Sequence, residues 1–166
     1  MTISCGVTPT GFRSLMASFP TGVAVITTFD PDGTPWGMTC SSVCSVSETP
    51  PTLLVCVRDG SPTLAAMLRR GKFTVNLLHH GARPVAELFA SGDPDRFDRV
   101  DWEDPPALGG PHLVRDAHAM ADCRISRWQQ IGTHVVVFSE VGHVTHRPGE
   151  HPLLYGMRQY AAWPVG

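Results

Sequence analysis

The chain has 166 residues, 42% of them hydrophobic and 17% charged, with 13 Lys and Arg set against 15 Asp and Glu. One domain of ordinary size is expected over residues 1–166, with an N-terminal tail to about residue 9, and disorder is excluded as the main state. A net charge of −2 exerts no general pull on nucleic acid or anionic membranes, no run approaches the ~20 apolar residues of a membrane span, and Met1–Thr10 lacks the pattern of a signal peptide, so a cytoplasmic protein is expected.

Phe12, Leu15, Met16 and Phe19 recur at helical spacing before Pro20, which predicts a short N-terminal helix. The β-branched run Gly22–Phe29 reads as a strand, and Asp30-Pro31-Asp32-Gly33 suits a tight reversal into a second strand over Pro35–Ser42. Thr52–Val57 is apolar on both parities, as expected of a strand covered on both sides. Ser61-Pro62 starts a second helix: the serine can cap free amides, while Pro62 fills the first turn, where a missing N–H costs nothing. Leu64, Met67 and Leu68 form its buried face, and Arg69, Arg70 and Gly71 end it with cations and a residue tolerant of positive φ. Phe73–Leu78 alternates as a strand, and Pro84–Ala90 is a third short helix.

From Ser91 to Ala117 the chain is dense in Asp, Pro and Gly, and a loop this long inside a domain tends to be functional or mobile. Ala117–Trp128, His134–Thr145 and Pro152–Trp163 complete the strands. The fold class is therefore all-β, an antiparallel barrel with a few short helices. The cysteines, Cys5, Cys40, Cys44, Cys56 and Cys123, are odd in number and form no Cys-x-x-Cys pair, so reduced thiols are expected.

Three groupings could carry chemistry. Thr39-Cys40-Ser41-Ser42 and Ser45-Val46-Ser47 cluster hydroxyls near strand ends, where they could hold the polar edge of a ring or a phosphate. In Arg58–Thr63 a strand runs into a capped helix beside an arginine, which makes an anion site. His134 follows Gly132-Thr133 and opens a β-branched strand, placing a polar ring at a barrel rim. His143 and His146 have opposite parity on a strand, so with His151 they do not converge on an ion, and no metal is expected. Gly-x-Gly-x-x-Gly, Walker-type and Gly-x-Ser-x-Gly motifs are all absent.

Taken in order, the segments Phe19–Val23, Gly37–Ser42, Ser45–Pro51, Phe73–Leu78, Phe89-Ala90, Arg96-Phe97 and Pro152–Tyr155 resemble the flavin reductase-like family. Its members have the FMN-binding split barrel, of antiparallel Greek-key type, and serve two-component flavin-dependent monooxygenases. The resemblance implies a homodimer that reduces FAD or FMN with NADH or NADPH and passes the reduced flavin to a separate oxygenase. It marks Thr39, Ser41 and Ser42 as contacts at the isoalloxazine edge, with Met38 and Cys40 of the same motif among the cofactor-binding residues. Ser47, Arg58, Ser61 and Thr63 would meet the ribityl and phosphate groups. Asn76, Phe97 and Tyr155 would complete the flavin site, and His134 would serve the nicotinamide as the catalytic residue. The family's Gly-Asp-His reads here as Gly132-Thr133-His134. Two other readings are a flavin-binding carrier or redox sensor without turnover, for which Thr133 is the sequence support, and an oxidase of the pyridoxamine-phosphate type.

Overall fold

Local chemistry sets the ends of each element. In the computed structural model, which describes residues 6–105 and 109–164, helix α1 (Pro9–Ala17) begins where the Thr8 side chain accepts the Gly11 N–H at 3.0 Å and Pro9 takes the first turn. Cys5 and most of the expected tail lie outside the described residues. Strands β1 (Thr21–Gly22), β2 (Ala24–Phe29) and β3 (Pro35–Cys40) follow. The reversal between β2 and β3 is closed by Gly33 at φ 88° and by the Asp30 N–H donating to the Thr34 carbonyl at 2.8 Å. Next come β4 (Val43–Glu48), β5 (Pro51–Arg58) and helix α2 (Pro62–Arg70), which is capped by Ser61 and ended by Gly71 at φ 72°. Then follow β6 (Lys72–Leu78), α3 (Arg83–Ser91), β7 (Ala117–Ile131), β8 (His134–His146), β9 (Leu153–Gly156) and β10 (Gln159–Ala162).

Seven strands pair antiparallel in the order β3-β2-β6-β7-β8-β5-β4, and β1-β9-β10 forms a second sheet. β6, β7 and β8 form a meander, and β5, joined to β6 through α2, lies beside β8, which is a Greek-key order. The two ends of the large sheet meet where the Cys56 N–H donates to the Ser42 carbonyl at 3.1 Å and the Cys40 thiol approaches the Cys56 carbonyl at 3.8 Å. Closure by these few bonds, in place of a continuous ladder, leaves the barrel split along that seam.

Every residue of β2 is buried because its two faces meet different cores. Ala24 and Ile26 join Val55, Val57, Met67, Phe73, Val75 and Val137 inside the barrel, whereas Val25 packs outside with Leu78, Ala86, Phe89, Phe97, Leu113 and Leu153. β5 differs from expectation. Val55 and Val57 are fully buried, but Leu54 and Cys56 on the opposite face are only half covered, so this strand has one core side and one open side.

The Asp- and Gly-rich loop is also more ordered than its composition suggests. Beyond a 3-10 turn at Arg96–Arg99, residues 109–113 form a strap pinned to the barrel by buried polar groups. Thr27 donates to the Pro111 carbonyl at 2.6 Å, the Gly110 N–H donates to Thr74 Oγ1 at 2.7 Å, and the Leu113 N–H donates to Asn76 Oδ1 at 2.9 Å. Asp122 Oδ1 accepts from Thr74, from the Gly109 N–H and from His112 Nε2 at 2.8 Å. The strap lies so close that a Cβ at Gly109 or Gly110 would collide with Thr74 and Phe73 or with the Thr27 backbone. The segment expected as one final strand is instead the β9–β10 hairpin, turning at Met157 and Arg158.

Burial pushes the Asp122 carboxyl up, but the hydrogen bonds from His112 and Thr74, the His112 charge and the Gly109 N–H outweigh it and hold the group below the usual carboxylate range. The unfolded chain therefore takes up this proton first, and the stabilisation is complete above about pH 4 and fades as pH falls through the lower native value. Asp122→Ala is expected to cost about 3–5 kcal/mol at neutral pH, because it strands the buried partners. Thermal melts should show the gap from the unaltered protein narrowing in acid, and equal stability at neutral pH would refute the role given to this group.

Candidate functional site

Alternation along β5 and β8 builds the floor of a large surface groove. In register, Cys56 lies opposite Val136 and Arg58 opposite His134, so residues 54, 56 and 58 share the outer face with 134 and 136. Leu54, Cys56, His134 and Val136 line the groove, with Val43 and Cys44 of β4 beside them and Ser41-Ser42 at the seam. One wall is α1, through Phe12, Arg13 and Met16, and the β9–β10 hairpin contributes Tyr155, Gly156 and Arg158. The hairpin is tied to the helix by the Met157 N–H, which donates to the Ala17 carbonyl at 2.6 Å. The volume is about 970 Å³, at the upper end of the ~300–1,000 Å³ of small-molecule sites.

The lining has a clear chemical bias. Its ionisable members are Arg13, Arg158, His134, Tyr155 and two thiols, with no Asp or Glu among the described residues, although the whole chain is net acidic. Burial raises the Cys56 thiol, keeping it neutral, and pushes the Cys40 thiol behind it up to about 11. A half-apolar floor with serine hydroxyls along one edge and cations at the sides fits a flat aromatic ring carrying an anionic tail.

Of the residues expected at the site, Ser41, Ser42, His134 and Tyr155 line the groove, and Arg58 continues its floor beside His134. The Thr133 hydroxyl lies 3.0 Å from His134 Nδ1 and orients the ring. The others point elsewhere. Met38 and Cys40 face the barrel core, where Ser61 donates to the Met38 sulfur at 3.6 Å while capping α2. Thr39 donates to the Ala86 carbonyl of α3. Thr63 is buried in α2, and Ser47 exchanges hydrogen bonds with its neighbour Thr49.

Asn76 and Phe97, expected to help close the flavin site, are engaged in the interior instead. Asn76 is fully buried and its amide is used internally, donating to the Val25 carbonyl, Thr27 Oγ1 and the Pro111 carbonyl while accepting from Leu113. Phe97 is wedged edge-on to Phe89 with centroids 5.1 Å apart, beside Trp102. Phe12, Arg13, Met16, Leu54, Cys56, Val136 and Arg158 were not among the expected contacts. For Leu54 and Cys56 the usable signal was parity within β5.

His79, His80 and Glu150 come close enough to suggest a cation site, but both ring nitrogens of His79 are engaged. Nδ1 accepts from the Gly81 N–H at 3.0 Å, leaving Nε2 to donate to the Arg115 carbonyl at 2.9 Å.

A split barrel whose open strand face floors a cationic, acid-free groove defines a nucleotide-binding class of protein. Residues 16–164 match the flavin reductase like domain, and the chain belongs to that family. It is 50% identical over 157 residues to the flavin reductase (NADPH) of Lentzea aerocolonigenes, covering 95% of this chain and 91% of that protein. With the reductase subunit of a flavin-dependent monooxygenase from Rhodococcus jostii it shares 37% identity over 154 residues, covering 93% and 77%. The solved NADH:FAD oxidoreductase of Streptomyces globisporus C-1027, in complex with NAD and FAD fragments, superposes with a TM-score of 0.88 at 31% identity over 96% of both chains.

Asn76→Ala separates the two roles open to that residue. It strips the strap of the acceptor for the Leu113 N–H and the donor to the Pro111 carbonyl, so stability should fall by about 1–3 kcal/mol while the flavin affinity of the folded fraction stays within about twofold. Lost affinity with unchanged stability would return Asn76 to the site.

Proposed function

We propose that the chain is an NAD(P)H-dependent flavin reductase that takes FAD or FMN into the groove and releases reduced flavin to a separate monooxygenase. The observation that carries this is the groove itself: apolar on the floor, hydroxylated at the Ser41-Ser42 edge, cationic at the sides and without acids. Its volume suits two stacked ring systems. The names of the relatives, which include NADPH and NADH enzymes and a monooxygenase subunit, support the same reading.

When bound, the flavin ring supplies the hydride chemistry, accepting from the nicotinamide. The chain's own task is to hold two rings face to face, exclude water from between them and meet their polar edges. Ser41 and Ser42 contact the ring edge, and Leu54, Cys56 and Val136 support its face. Arg58 and the positive end of α2 attract the flavin phosphate. Held by Thr133, His134 places the carboxamide end of the donor, and no proton transfer is asked of it.

A homodimer completes this reading. α1 has no buried residue, and its Phe12 and Leu15, with Phe19 just beyond its end, are each more than half exposed, an apolar surface that a second copy would cover. The four described thiols, Cys40, Cys44, Cys56 and Cys123, are free, which suits the cytoplasm.

Purified protein is expected to consume NADH or NADPH only when FAD or FMN is added, followed by the loss of nicotinamide absorbance. Bound flavin without consumption would favour the carrier or sensor. Ser42→Ala should raise the flavin Kd about two- to tenfold, as for one hydrogen bond, and His134→Ala should slow turnover about tenfold without abolishing it. Leu15→Asp, tested by sedimentation, should convert a dimer to a monomer; an unaltered protein that sediments as a monomer defeats the dimer.

A further inference from the structure

The turn at the tip of the β9–β10 hairpin is built against local preference. Its two central residues, Met157 and Arg158, sit in the left-handed region at φ 51° and 59°, where hairpins favour Asn-Gly. Left-handed backbone costs an ordinary residue about 1–2 kcal/mol, so glycine would be the easier choice at position 158. Arg158 instead lines the groove. Strain retained in a residue that lines a binding site points to a task for its side chain.

The electrostatics identify the ligand chemistry. Arg158 and Arg13 both line the groove, and neither has an ion pair or hydrogen bond among the described residues. By contrast Arg69, Arg83, Arg99 and Arg115 are each within 3.0 Å of a carboxylate oxygen. Two arginines without a carboxylate partner in the lining of an acid-free groove point to a phosphate, which a guanidinium can grip bidentately. Arg58 and the start of α2 lie at the β5–β8 end of the floor, whereas Arg13 and Arg158 come from α1 and the hairpin, which are different elements of the groove. If the first set holds the flavin phosphate, the second is free for the other nucleotide.

We propose that Arg158, assisted by Arg13, is a specificity-determining clamp for a phosphate group of the hydride donor. This rests on the reductase reading above. The shared chemistry is a nucleotide phosphate, with two sources in a donor: the pyrophosphate of NADH and NADPH alike, and the 2′-phosphate of NADPH alone.

Steady-state kinetics on the full chain with added flavin test it, using Arg158→Gly, Arg158→Lys and Arg13→Gln with NADH and NADPH as separate substrates. Flavin Kd is measured by fluorescence titration. Arg158→Gly is expected to keep or raise the melting temperature, because it relieves the turn, yet to raise the donor KM about tenfold or more with kcat little changed. Arg158→Lys should recover part of that loss, and Arg13→Gln should move KM in the same direction. A rise confined to NADPH assigns the 2′-phosphate, and a rise with both donors assigns the pyrophosphate; either supports the clamp. Unchanged donor KM, or a weakened flavin Kd alone, overturns it. If the unaltered protein consumes no donor, the reductase reading fails first, and the two failures are distinguishable.

Discussion

Strands β5 and β8 must face two ways. Val55, Val57, Val135 and Val137 turn inward and are almost wholly buried, while the residues between them, Leu54, Cys56, His134 and Val136, floor the groove. Because side chains alternate with a period of two, a slip of one residue would exchange the sets, burying His134 and exposing the core valines. The seven-pair ladder between the two strands, from Thr52↔Glu140 to Arg58↔His134, prevents this. At the seam the Cys56 N–H is held by the Ser42 carbonyl, in line with the β4–β5 pairing, and the Cys40 thiol lies at the Cys56 carbonyl. The hydroxyls of Ser41 and Ser42 lie at the groove because the same seam turns the chain there. Core packing and site geometry are thus consequences of one pairing.

The rest of the molecule divides into a rigid side and a lightly held side. Away from the groove, the strap over β2, β6 and β7 replaces a covering helix, and its backbone groups find partners in Thr27, Thr74, Asn76 and Asp122. Such buried networks stiffen a scaffold, since releasing a member leaves another unpaired in a low-dielectric interior. At the groove, α1 contributes no buried side chain and is tied to the hairpin through the Ala17 carbonyl. Segments with few buried contacts open at low free energy. A wall of this kind can admit a ligand while the floor stays fixed, and covering its apolar face would couple association to binding.

Much of the architecture was legible in the sequence, for reasons visible in particular residues. Ser61-Pro62 and Gly71 bracket α2 because capping and positive φ are local properties, and Asp30–Gly33 announces its turn for the same reason. Ser41, Ser42, His134 and Tyr155 were legible through family motifs. Asn76 and Phe97 belong to the same motifs but serve the interior, and a motif does not say which way a side chain points. The open face of β5 was hidden because Leu54 and Cys56 are as apolar as Val55 and Val57, so composition could not separate floor from core. The β9–β10 turn was hidden because Met157 and Arg158 lack turn chemistry.

The neutral residue at Thr133 is intelligible once the groove's charges are counted. A carboxylate there would place a negative charge beside His134. The hydroxyl engages Nδ1 and orients the ring without adding a charge. The positive field of the groove then comes from its arginines, Arg13 and Arg158, which have no carboxylate in the lining to neutralise them.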